Sequence, residues 1–240
     1  MLPGCFGTAA RVARLVATYA GRVRAAGAHN GSRNIYDGAV GPDRADLDPG
    51  DKPPETVAAG PVIVRRVRVG DAGAIAAAVS ASLDELRPWM PWATEEAASR
   101  SNQLARIAEA DHRWESGLSY TYSVLTAETG TLVGEIALHR REGDGSVELG
   151  YWIASGASGR GYVTSASAAL SAAALALDGV ERVEIHCDAA NTASAAVARR
   201  LGYRLDRIEE RHPEAPGESG RIMVWVLTRA PRAAGPQSLA

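Results

Sequence analysis

The sequence predicts an α+β domain on a mixed, mostly antiparallel sheet, preceded by an extension. Three observations carry this. Three β-rich runs (119–126, 131–140 and 147–154) follow one another through short connections containing Gly, as hairpins do. A single strand–helix–strand step comes next, from 147–154 through 164–178 to 183–188. Residues 31–60 are rich in Gly, Pro and Asp, and such a stretch cannot bury enough apolar surface to offset its ordering entropy. Residues 1–60 are therefore expected to be extension and linker, 61–230 the folded body, and 231–240 a flexible tail.

In order, Val12, Leu15, Val16, Tyr19 and Val23 recur near helical spacing and suggest a helix over 8–27. Arg11 and Arg14 interrupt any secretory core there. Val62, Val64, Val67 and Val69 mark an opening strand. Asp71 is a good N-cap for a helix through Leu86, which Pro88 and Pro91 then break. Thr94 caps a second helix over 94–116, and Gly117 ends it. The three strands named above follow. A Gly-rich turn at 156–161 leads into an Ala-rich helix at 164–178. Strand 183–188, helix 191–201 and a hairpin of 204–209 with 222–229 complete the body.

Composition excludes several classes. The 240 residues are 46% hydrophobic and 22% charged, which is globular. A formal charge of −2 supplies no field for nucleic acid or anionic lipid. No apolar run reaches the length of a membrane span. Cys5 and Cys187 cannot staple a body of this size, so a reducing, cytoplasmic setting is expected. His29, His112, His139, His186 and His212 show no metal-ligand spacing, so no metal is expected. There is no Gly-x-Ser-x-Gly nucleophile elbow.

The most informative stretch is Glu148–Ala166. A strand ends, Gly156, Gly159 and Gly161 form a turn, and a helix starts near Thr164. Glycines let successive N–H groups approach a ligand closely, and the first helical N–H groups point the same way. That arrangement favours a phosphate or pyrophosphate. No Gly-Lys-Ser/Thr follows, so it is not a Walker A loop. Gly159-x-Gly161-x-x-Thr164 is two-thirds of a dinucleotide fingerprint, placed after antiparallel hairpins where that fingerprint does not belong.

Ser158-Gly159-Arg160-Gly161-Tyr162-Val163 resembles the acyl-CoA motif of the GNAT superfamily of N-acetyltransferases, with Ser158 in place of the usual Arg or Gln. Asp188-x-x-Asn191-x-x-Ser194, followed by Leu201-Gly202-Tyr203, resembles a second block of that family. Leu86-Arg-Pro-Trp-Met-Pro-Trp92 resembles its Rim-type branch, which acetylates ribosomal-protein N-termini. The resemblance covers about residues 61–230.

It implies a sheet splayed between the fourth and fifth strands, 147–154 and 183–188, with helices on both faces. It implies acetyl-CoA as co-substrate, held by Ile153, Ala154, Gly159, Arg160, Gly161, Tyr162, Val163, Thr164 and Asn191. A backbone N–H near Ile153 or Ala154 would meet the oxyanion. Trp89 and Trp92, on a loop stiffened by Pro88 and Pro91, would flank the acceptor. Glu148 is the expected general base, with Glu135 in reserve. Many members protonate the leaving thiolate with a Tyr on the helix after the fifth strand. Helix 191–201 has none, and Ser194 occupies the position the Rim-type branch offers instead. The expected partners are acetyl-CoA and an amine, either a protein N-terminus or a small amine. Neither nucleic acid nor membrane is expected as a partner, and the state is monomer or homodimer. The alternative is a non-catalytic acyl-CoA-binding regulatory module.

Overall fold

The computed structural model describes residues 52–140 and 145–229. The helix expected over 8–27, most of the linker and the tail 231–240 lie outside them.

Eight strands form one sheet: β1 (Thr56–Ala59), β2 (Val62–Arg66), β3 (Ser119–Thr126), β4 (Leu132–Arg140), β5 (Ser146–Ile153), β6 (Arg182–Asp188), β7 (Arg204–Glu210) and β8 (Arg221–Thr228). Their spatial order is β1-β2-β3-β4-β5-β6-β8-β7. Every neighbouring pair is antiparallel except β5 and β6, which are parallel. Five helices are α1 (Ala72–Ser80), α2 (Leu83–Leu86), α3 (Arg100–Glu115), α4 (Tyr162–Ala176) and α5 (Thr192–Arg200). The helix α4 is the crossover between β5 and β6, which makes the parallel pair sterically accessible.

The alternation of β5 assigns the two faces. Val147 and Leu149 join one buried cluster with Val62, Val64 and the α4 residues Ala166, Ala169, Leu170 and Ala173. Trp152, on the other face, joins Ile75 and Val79 of α1 and Ile107 and Ala110 of α3. Small residues along the buried side of α4 let it lie close to the sheet. Ser171 Oγ bonds the Ser167 carbonyl at 2.6 Å and the Tyr203 hydroxyl at 2.6 Å, so its polarity is satisfied there.

Several boundaries differ from the sequence reading, among them the opening strand, which stops at Arg66, short of Val67 and Val69. The ordered body takes in residues assigned to the linker. Strand β1 turns at Gly60 (φ 62°) and pairs with β2, burying Val57 and Ala59. Pro54 O accepts the Tyr122 hydroxyl at 3.1 Å, and Lys52 pairs with Glu115. Composition averaged over thirty residues hid these short contacts.

The helix expected from Asp71 to Leu86 breaks at Ala81–Ser82, because Ser82 Oγ accepts the N–H of Ser155 at 3.0 Å. The helix expected at Thr94 starts at Arg100 instead. Thr94 Oγ1 closes an isolated turn with the N–H of Ala97, and Ser99 is the cap, accepting from the N–H of Asn102 at 3.2 Å. With β1 counted, the splay falls between the fifth and sixth strands.

Candidate active site

Strands β5 and β6 share three residue pairs, Ser146 with Arg182, Val147 with Val183 and Glu148 with Glu184. Beyond Glu148 they diverge. Gly159 and Gly161 both have positive φ, 73° and 78°, which a side chain would strain. Gly161 is the N-cap of α4, so the helix begins at Tyr162, two residues before the expected Thr164. The N–H groups of Tyr162, Val163 and Thr164 therefore form the first turn, which an α-helix leaves without internal acceptors. A Cβ placed on Gly156, Gly159 or Gly161 would meet no atom within 4 Å, so the space above the turn is open.

A cleft of about 480 Å³ runs from the α3 side of the sheet into the splay. Trp89, Trp92, Glu148, Trp152, Asn191 and Ser194 all line it. Glu148, Ser194, Asn191, Trp89 and Trp92 are thus brought together. The Gly turn is not part of this cleft. Arg160 and Tyr162 border a separate depression with Ala154, Gly156 and the hairpin after β3.

Glu148 lies at the last position of β5 paired with β6, and opposite His139 on β4. One carboxylate oxygen stands 3.7 Å from His186 Nδ1, and His186 Nε2 lies 2.8 Å from Glu184. Burial would push the Glu184 carboxyl up, yet its bonds to His186 and Arg182 hold it below its ordinary value. Glu135 is differently placed. Arg106 Nη2 reaches both its oxygens at 2.6 Å, and Trp152 Nε1 donates to one of them at 3.1 Å. Glu135, the reserve candidate, lines the same cleft but is engaged by three hydrogen bonds.

The Asp188-x-x-Asn191-x-x-Ser194 block is one local device. Asn191 Oδ1 accepts the N–H of Ser194 at 3.0 Å and caps α5. The buried Asp188 carboxylate accepts the N–H groups of Ala190, Ser219 and Gly220 and the Ser219 hydroxyl. It thereby ties the β7–β8 loop to the end of β6. That loop in turn meets the Trp-bearing loop, where Gly217 N–H donates to Pro88 O at 2.9 Å.

Ser194 Oγ lies 2.9 Å from the Tyr151 hydroxyl, which crosses the splay from β5. Burial pushes the Tyr151 phenol up to about 12, although the Ser194 bond opposes the shift.

Residues 62–204, more than half of the chain, match the acetyltransferase (GNAT) domain family. The chain belongs to the GNAT acetyltransferase family. Its fold is shared by RimJ of Mycobacterium smegmatis, solved in complex with CoA-disulfide. That protein is 24% identical with a TM-score of 0.63, over 70% of this chain and 81% of that one. An acetyl transferase of Salmonella typhimurium that modifies the N-terminal serine of ribosomal protein L7/L12 gives 17% and 0.63, over 71% and 96%. RimL, a ribosomal L7/L12 α-N-protein acetyltransferase in complex with CoA, gives 18% and 0.65, over 72% and 98%. No curated protein sequence matches the chain.

The acyl donor of this acetyltransferase is acetyl-CoA. The residues present fit it: an open glycine turn, three first-turn N–H groups and a strand whose outer edge is unpaired beyond Glu148. One expectation is corrected. The N–H of Ala154 donates to Val133 O at 2.8 Å, continuing the β4 ladder, so it is withdrawn as an oxyanion donor. Bonding sides alternate along a strand, so the N–H of Ile153 turns towards the splay. Among the described residues no helix is long and apolar enough to cross a membrane, and no group of three His, Cys, Asp or Glu is placed to hold a metal.

Tyr151, the anchoring bonds of Asp188 and the pairing of Glu184 with His186 escape the sequence reading. Strand parity places Tyr151 on the opposite face from Glu148. Nothing in the sequence indicates that its hydroxyl reaches a helix 43 residues further on.

Proposed function

We propose that this chain acetylates a protein or peptide α-amine, as a Rim-type enzyme. The observation that carries this reading is the cleft itself. A carboxylate, Glu148, shares a cleft of about 480 Å³ with two Trp side chains, and the same cleft reaches Asn191 and Ser194 beside the splay. The solved relatives named for ribosomal-protein acetylation support the same acceptor class.

In this reading the first turn of α4, with Gly159 and Gly161, holds the pyrophosphate, and Arg160 adds a charge. The outer edge of β5 aligns the pantetheine amides as an added strand would. Trp89 and Trp92 enclose the acceptor's first residues and exclude water. Glu148 takes a proton from the incoming ammonium, directly or through water, which frees the nitrogen lone pair. The Ile153 N–H meets the charge that develops on the acyl oxygen. Ser194, in the first turn of α5, donates to the departing sulfur.

The deciding experiment offers acetyl-CoA with three acceptor sets: peptides with free α-amines, the same peptides with blocked α-amines and an internal lysine, and polyamines. Thiol release is followed, and mass spectrometry locates the acetyl group. Turnover confined to free α-amines is the expected result. Turnover on polyamines or lysine alone would replace this reading with a small-amine or side-chain acetyltransferase.

A further inference from the structure

We infer that Tyr151 is a positioning residue of the reaction, supplying the proton of the leaving sulfur through Ser194 in a two-hydroxyl relay across the splay. The inference rests on the reading of Ser194 as the donor, and goes beyond it by naming what makes Ser194 competent.

Three observations carry it. The two hydroxyls are 2.9 Å apart, a normal O–H···O distance, and both line the cleft. They are held by separate parts of the chain. Ser194 is fixed by its N–H bond to Asn191, and the Tyr151 ring packs against the core under α4. The bond is therefore the meeting of two set positions across the gap. Finally, α5 carries no phenol of its own, and Tyr151 brings one to the same helix turn from the opposite strand.

Ser194 is the third residue of α5, at its positive end, where negative charge on a nearby sulfur is favoured. Its other neighbour is the Cys187 thiol, which burial pushes up and keeps protonated. A serine hydroxyl alone is a poor acid, and a phenol is far stronger. The Tyr151 phenol stays protonated at working pH and so enters each turnover loaded.

The step balances as follows. Once the acceptor nitrogen has bonded to the acyl carbon, the carbon–sulfur bond breaks and its electron pair stays on sulfur. The Ser194 proton moves to sulfur, and the Tyr151 proton moves to Ser194 Oγ. The nitrogen, cationic after attack, loses its second proton to solvent as the carbon–sulfur bond breaks, and solvent returns one to the phenolate. With the proton that Glu148 releases, two leave the amine, one ends on the thiol and one stays in solvent.

The test uses the full chain with Tyr151→Phe, Ser194→Ala and both together. Turnover should fall about 10²-fold in each single variant, the low end for a positioned proton donor. The double variant should be no slower than Ser194→Ala, because the two hydroxyls act as a unit. CoA affinity, acceptor KM and the thermal transition should hold in Tyr151→Phe. A readout independent of turnover is the ultraviolet absorbance of the thiolate of bound CoA during a pH titration. Its midpoint should move to higher pH in Tyr151→Phe, since a donor to the thiolate has lost its support.

Wild-type turnover in Tyr151→Phe, with Ser194→Ala slow, would overturn the relay and leave Ser194 in place. Wild-type turnover in Ser194→Ala would remove the reading underneath, and the relay with it. Additive losses in the double variant would mean that the hydroxyls act separately. Loss of CoA binding along with turnover would make Tyr151 a packing residue. Each of these results overturns the inference.

Discussion

At the scale of single residues, buried carboxylates do most of the fixing. Asp71 is expected from sequence to cap a helix, and it does sit at the N-cap of α1, but its side chain works elsewhere. Arg65 holds both its oxygens at 2.8 and 2.7 Å, and the Arg68 N–H and the Ser123 hydroxyl each add a bond of 2.9 Å. Burial pushes this carboxyl up, and the bonds, led by Arg65, more than offset it, so the folded value lies below the ordinary one. Its contribution is therefore complete above the unfolded value of about 3.9 and lost as pH falls through the folded one. Asp71→Asn should cost about 2 kcal/mol in denaturant melts at neutral pH. The gap to the wild type should narrow in acid. Glu148 calls for a kinetic test. Glu148→Gln keeps the shape and removes proton acceptance, so turnover should fall about 10²-fold while calorimetry finds CoA affinity unchanged. Near-wild-type turnover would return Glu148 to a structural role.

At the scale of elements, legibility follows local pattern. Strands β3 to β6 and β8 were readable within a residue or so, because β-branched alternation and Gly turns are local signals. Strand β1 was not, because four residues with two buried side chains cannot outweigh the prolines and aspartates around them. The start of α3 is misplaced because Thr94 and Ser99 are equally good caps in sequence, and only in the structure does Thr94 close a separate turn while Ser99 caps the helix. The glycine turn is readable because Gly156, Gly159 and Gly161 fall within six residues between a strand and a helix. Gly161→Asp tests it. A Cβ there meets no atom within 4 Å, so the fold should survive, and Asp tolerates positive φ better than most residues. The added charge opposes a phosphate at the N-terminus of α4. CoA binding should weaken by about 2 kcal/mol in calorimetry. Unchanged affinity in the folded variant would move the phosphate away from this turn.

At the scale of the whole molecule, Ser194 is legible in the sequence but its Tyr151 partner is not, because their contact exists only across a gap. Tyr151 and Ser194 meet because β5 and β6 part after Glu148, a distance that no spacing in the sequence encodes. The same three-pair contact divides the sheet into two leaves, β1–β5 and β6-β8-β7. Asp188 makes the β7–β8 loop travel with the second leaf. A bound CoA would touch both leaves, through the α4 turn and β5 on one side and α5 on the other. Hydrogen exchange with saturating CoA should therefore slow in β6, β8 and the first turn of α4, while β1 to β3 keep their rates. Equal slowing everywhere would mean that the leaves do not move apart. A seam of three rungs has a further consequence for the folded lifetime. A ligand that spans it works as a brace, and each tenfold rise in free CoA above its dissociation constant adds about 1.4 kcal/mol against opening. The durability of the chain then tracks the supply of its own acyl carrier.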